Sequence, residues 1–168
     1  LEIVDYPGEW LLDLPMLAQD YLSWSRQMNA LLTGDRAEWA AEWKRLSAQL
    51  DPLAPADENQ LADIAAAWTS LLLRCKQEGL HFIQPGRFVL PGEMAGAPAL
   101  QFFPWPSLND GDDARLAQAD KGSNLAMLRA RYDYYCQHVV KGFYKNYFLR
   151  FDRQIVLVDC LQPLNSGP

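Results

Sequence analysis

The order of apolar and polar positions divides the chain into two short apolar ends and a long middle of helical periodicity. Leu1, Ile3 and Val4 close on Asp5, and Ile155 to Val158 close on Asp159. Short apolar runs of this kind predict buried parallel strands with polar chemistry at their carboxyl ends. Between them the period changes. Leu17, Tyr21, Trp24, Met28 and Leu31 share one helical face, with Pro15 tolerated in a first turn and Gly34 as a stop. Asp35 with Glu38 forms a capping box for a helix carrying Trp39, Trp43, Leu46 and Leu50, which Asp51-Pro52 ends. Asp57 with Gln60 opens another, with Leu61, Ile64, Ala65, Trp68, Leu71, Leu72 and Cys75 on one side and Gly79 at its end. Tryptophans at this spacing read as core.

Residues 80–108 break the pattern. Prolines at 85, 91, 98, 104 and 106 forbid a long helix and disfavour a central strand. Arg87–Leu90 and Ala99–Phe103 read as short extended pieces, and the stretch is either a structured loop capping the helices or a functional segment. Ser123 or Asn124 then caps a last long helix with the stripe Leu125, Leu128, Tyr132, Tyr135, Val139 and Phe143. Tyr134, Tyr144 and Tyr147 widen that face, and Arg129, Arg131, Lys141, Lys145 and Arg150 form a solvated one. Pairing residues 1–5 with 155–159 makes everything between them one crossover. A crossover normally holds one helix; this one holds at least four, so the expected fold is an α/β core of two parallel strands with a large helical insertion. The expected divisions are 1–14, 15–150 and 151–168.

Composition narrows the function. With 168 residues, 49% of them hydrophobic, the chain can bury one core and is not disordered. A net charge of −6 makes the chain a poor candidate for non-specific nucleic-acid binding, which needs clustered Lys and Arg. No apolar run reaches the roughly 18 residues of a transmembrane helix, and the opening Leu-Glu-Ile-Val-Asp is not a signal peptide. The chain opens without Met inside an apolar run, which reads as a piece of a longer protein. Cys75, Cys136 and Cys160 form no C-x-x-C pair and suit reduced thiols in a cytoplasm. Two histidines, His81 and His138, exclude a His-rich metal site. Asn109 to Asp113 reads as a solvated turn, because the ligand pattern of a calcium loop is absent.

The candidate chemistry lies at the first apolar run. Asp5-Tyr6-Pro7-Gly8 has the Asp-x-x-Gly spacing of P-loop nucleotide hydrolases. There the aspartate holds Mg²⁺, usually through water, and the glycine N–H approaches the terminal phosphate. The wider stretch Asp5-Tyr6-Pro7-Gly8-Glu9-Trp10-Leu11-Leu12-Asp13-Leu14-Pro15 resembles the switch region of the YcjX-like family of bacterial P-loop NTPases. So do the block from Phe88 to Leu100 and the block from Phe151 to Asn165.

The resemblance implies a stress-associated, GTPase-like protein that binds GTP and GDP with Mg²⁺ as cofactor. It places Asp5 at the metal position, Gly8 at the phosphate and Glu9 at the catalytic position, where small GTPases hold a water-orienting Gln. Glu9 has two readings: it orients water, or it pairs with a basic residue and keeps the segment in an inactive pose. Neither G-x-x-x-x-G-K-[ST] nor the Asn/Thr-Lys-x-Asp base-reading motif is present in this chain. The family would place both outside it. The chain by itself is therefore expected to bind nucleotide negligibly and to be inactive. Against the hydrolase stands a second class, a non-enzymatic helical scaffold for an unknown protein partner.

Overall fold

The computed structural model describes residues 5–106, 108, 116–117, 119–153 and 155. Pro7 caps a 3₁₀ segment, Gly8–Ala18. There follow α1 (Tyr21–Ala30), α2 (Asp35–Trp39), α3 (Ala41–Ser47), α4 (Glu58–Gln77) and the single turn α5 (Gly86–Val89). After short 3₁₀ turns at Gly92–Met94 and Pro98–Leu100 come α6 (Asn124–Tyr134), a π-helical stretch (Tyr135–Val140) and α7 (Lys141–Asn146).

This corrects the expected fold class. Among the described residues there is no strand, and the α/β class with two parallel strands gives way to a helical body. Residues 1–4 and 156–159 lie outside the described residues; Asp5 and Ile155, at the inner ends of the two runs, are not in strands. A single antiparallel bridge, Pro55 to Ser123, is the nearest approach to sheet among the described residues. The physical reason is that the middle of the chain supplies its own apolar partners. Trp24 packs on Tyr132 and Phe102 with ring centroids 5.3 and 5.5 Å apart, and Trp43 packs on Trp68 at 5.0 Å. The tryptophans at 24, 43 and 68 are core, as their spacing predicts.

The helices depart from expectation at their ends. The first begins at Tyr21 because the Asp20 carboxylate accepts from Ser23 N–H at 2.7 Å. The second divides at the buried Ala40, which turns Trp43 toward Trp68. α4 keeps its expected limits. Asp57 accepts from the N–H groups of Asn59 and Gln60 at 3.0 and 3.2 Å, and Gly79 leaves the helix at φ 77°. Asp57→Ala is expected to lower stability by about 1 kcal/mol, measured as a lower urea midpoint at unchanged slope.

Residues 99–103 are not a strand. They pass from a 3₁₀ turn into an irregular, largely buried run whose polar groups are met by side chains. Tyr21 donates to the Phe103 carbonyl at 2.8 Å, Arg131 to Gln101 at 2.8 Å and Asn29 to Trp105 at 2.7 Å, while Ser25 accepts from Trp105 N–H at 2.9 Å. Side chains thus replace the ladder that the prolines would interrupt. Arg131, expected on a solvated face, is committed here and also pairs with Glu58. The other expected extended piece, Arg87–Leu90, is instead largely the turn α5.

Ser123 caps α6 by accepting from Ala126 N–H at 3.3 Å. Of the expected stripe, Leu125, Leu128, Tyr132, Tyr135 and Phe143 are buried and Val139 is half-buried, but Tyr134 and Tyr147 are exposed and do not widen it. Cys75 and Cys136 are buried free thiols, and Cys160 lies outside the described residues. Among the described residues no helix is long and apolar enough to cross a membrane.

Candidate functional site

Asp5 is exposed, and Pro7 turns the chain into the 3₁₀ segment that Gly8 opens. A Cβ on Gly8 would meet nothing within 4 Å, so packing gives no reason for a glycine there. Glu9 points to the last turn of α4, where Lys76 Nζ lies 2.8 Å from its Oε1. That hydrogen bond holds Glu9 below the usual carboxylate range. The basic partner in the second reading of Glu9 is therefore Lys76.

Beyond Glu9 the chain is clamped. Trp10 donates from its indole nitrogen to the Leu90 carbonyl at 3.0 Å, and its ring meets Phe143 edge-on at 5.7 Å. The Arg87 guanidinium carbon lies 3.2 Å above the Trp10 ring. Gln84 donates to the Leu12 carbonyl at 2.5 Å and accepts from the Trp24 indole at 2.9 Å. Asp13, 1% exposed, is the centre of the clamp. Its Oδ1 accepts from Gly86 N–H at 2.7 Å, and its Oδ2 from the Tyr135 hydroxyl at 2.5 Å. Burial pushes its pKa up to about 6, against the pull of those hydrogen bonds and of Arg87. Gly86 completes the contact, because a Cβ there would collide with the Glu9 carbonyl.

Asp5, Gly8 and Glu9 thus share one short strip, to which the helical body adds Lys76 and Arg87. Among the described residues no three His, Cys, Asp or Glu side chains converge as a metal cluster. A single exposed carboxylate at Asp5 nevertheless fits Mg²⁺, which keeps several waters and takes its other ligands from phosphates. Sequence reasoning did not single out Asp13, Gln84, Gly86, Arg87 or Tyr135 for a role at this site. The one local signal was Asp13, a carboxylate enclosed by Leu11, Leu12 and Leu14 in a segment too apolar to solvate it.

The fold and the strip define a helical body that carries an Asp-x-x-Gly segment at its edge and grips the residues after it. The chain belongs to the YcjX-like family, DUF463, whose description matches residues 1–168. The resemblance read from the three sequence blocks is confirmed. The chain is 77% identical over 168 residues to the Ras-like GTPase YcjX of Escherichia coli, with all of this chain and 36% of that protein covered. It is 45% identical over 170 residues to the Ras-like GTPase YcjX of Shewanella oneidensis, with 99% and 35% covered. The chain therefore spans about a third of the length of these curated relatives.

Proposed function

We propose that this chain is the switch segment and helical body of a longer protein that binds GTP with Mg²⁺ and hydrolyses it. The carrying observation is the contrast at Gly8: an Asp-x-x-Gly whose Asp5 and Gly8 are exposed, with empty space at its glycine, joined to a segment fixed by buried hydrogen bonds. The names of the relatives, Ras-like GTPases, support the same reading. Residues up to 14 would serve as the switch region, 15–150 as a helical insertion and 151–168 as the return to the nucleotide-binding part. The 3₁₀ segment runs unbroken across the first of these boundaries. A stress-linked regulatory role belongs to the same proposal and rests on the family resemblance.

In the reaction a water oxygen bonds to the γ-phosphorus. The bond from that phosphorus to the β,γ-bridging oxygen breaks, and its electron pair leaves with GDP. The water's protons pass to inorganic phosphate and solvent. Gly8 would present its N–H to the γ-phosphate. Asp5 would hold Mg²⁺ through water, and the ion supplies charge neutralisation at the β- and γ-phosphates when bound. Glu9 would orient the water once released from Lys76. That ion pair is partly exposed and contributes at most about 1 kcal/mol, so release is cheap.

Asp5→Ala in the full-length protein is expected to reduce Mg²⁺-dependent GTP hydrolysis to background while the thermal midpoint stays unchanged. Undiminished hydrolysis would remove the metal assignment, and absence of hydrolysis in the wild type would favour the helical scaffold. A fluorescent GTP analogue is expected to bind the full-length protein and not the isolated chain. Stoichiometric binding by the isolated chain would overturn the division of labour proposed here.

A further inference from the structure

We infer that Arg87 is a phosphoryl-anion ligand that the helical body supplies in cis to the nucleotide at Gly8; this rests on the nucleotide reading proposed above. Arg87 follows Gly86, whose Cα is pressed against the Glu9 backbone. Residue 87 is therefore tied, backbone to backbone, to the neighbour of Gly8. Its side chain turns along Trp10 and lays the guanidinium on the ring.

The guanidinium forms no ion pair among the described residues. Asp13 gives its two carboxylate oxygens to Gly86 and Tyr135. Glu93 is exposed and acts on Arg87 as a nearby charge only. Lys76, the other cation at this strip, is paired with Glu9. Burial lowers the Arg87 pKa, so its charge is held at a desolvation cost. The Trp10 face offsets part of that cost, by about 0.5–2 kcal/mol.

A half-buried guanidinium with no ion-pair partner among the described residues is suited to receive an anion, and its planar fork matches pairs of phosphate oxygens. Because the chain carries a net charge of −6, a triphosphate approaching it needs a local cation. Trp10 is itself fixed by Leu90, so Arg87 can leave its face by side-chain rotation alone. In the hydrolysis written above, negative charge builds on the γ-phosphoryl and bridging oxygens. An arginine brought to that charge raises kcat by about 10³–10⁵ in nucleotide hydrolases that supply one, in cis or in trans.

The test uses the full-length protein with Arg87→Met, which keeps an apolar cover on Trp10, and Arg87→Lys, which keeps the charge and secures a folded variant if Met does not. Three ligands are titrated: GDP, GDP with aluminium fluoride as a mimic of the transferring phosphoryl group, and inorganic phosphate alone. GDP affinity is expected to stay within about threefold, while capture of aluminium fluoride is lost and kcat falls by about 100-fold or more at little-changed KM. Lys is expected to restore less than a tenth of the lost rate, because it lacks the fork. Hydrolysis within about threefold of wild type by either variant, with aluminium fluoride still captured, would leave Arg87 as a cover for Trp10 and overturn the inference with the proposed function standing. Inorganic phosphate without nucleotide is expected to leave Arg87 on Trp10; displacement as complete as that by GDP with aluminium fluoride, read as a Trp10 emission change absent in Trp10→Phe, would show a general anion site in place of a ligand for the bound nucleotide and would also overturn it. No GTP binding by the wild type would overturn the proposed function and this inference together.

Discussion

Alanine at Gly86 is expected to break the clamp on residues 9–13 and to cost about 3 kcal/mol or more. The added Cβ would stand 2.5 Å from the Glu9 carbonyl carbon, with the carbonyl oxygen nearer still, and 3.1 Å from the Glu9 Cβ. Two of the three nearest atoms are backbone, so no rotamer relieves the clash. Neither backbone is free to retreat. Gly86 N–H is held by Asp13 at 2.7 Å, and the Gly86 carbonyl accepts from Leu90 N–H at 3.1 Å. On the other side, Trp10 N–H donates to Pro7 at 3.1 Å and the Trp10 ring is pinned to Leu90 at 3.0 Å. Separation therefore costs the overpacking term plus a buried, charge-assisted hydrogen bond. A loss of that size is a large part of what a typical domain has. Urea unfolding of the full-length protein, followed by tryptophan emission, measures it. Gly8→Ala is the internal control: its Cβ meets nothing within 4 Å, so the unfolding midpoint is expected to stay in place. An unchanged midpoint for Gly86→Ala would show that the two backbones do not touch in solution.

The contrast between these two glycines marks how far the sequence could be read. Gly8 was found because it belongs to a four-residue motif, and α4 because twenty residues of unbroken period lie between Asp57 and Gly79. Both signals are local. The clamp is not: Asp13 reaches Gly86 across 73 positions and Tyr135 across 122, and no spacing along the chain records either pairing. Tyr135 was legible only as one member of an apolar stripe, since periodicity reports which face is buried and not which hydroxyl finds a carboxylate there. The fold class failed for a related reason. A short apolar run is compatible with a strand or with a piece of helical core, and the period of the long middle stretch, which the described residues bear out as helix, carries no information on whether a sheet lies beneath it. Nor did Pro15 start a helix. It sits inside a 3₁₀ segment with no period to betray it, and the Asp20 side chain sets the true start of α1.

Asn in place of Asp13 is expected to remove a pH dependence that the wild type carries between about pH 4 and 6. The Asp13 carboxyl is raised from 3.8 to about 6 in the folded protein, first by burial, while Tyr135, Gly86 and Arg87 favour its ionised form. A carboxyl raised on folding prefers to be neutral inside. Its contribution to stability is fully present below the unfolded value of 3.8 and is lost as pH rises through the folded value of about 6. The gap corresponds to about 3 kcal/mol across that window and to no further change above it. Glu9 and Asp20 are lowered on folding and work in the opposite direction, so the wild-type curve alone would hide the effect. Subtracting the Asp13→Asn curve isolates it, because the amide still accepts from Gly86 N–H and can donate to the Tyr135 oxygen, yet does not titrate. The difference is expected to fall steadily from about pH 4 to 6 and then level. Tyr135→Phe sharpens the assignment. The Tyr135 hydroxyl stabilises the ionised carboxylate at 2.5 Å, so its removal raises the Asp13 pKa further and carries the levelling point to higher pH. A difference curve that is flat from pH 4 to 7 would mean that Asp13 is solvated and that the clamp is open in solution.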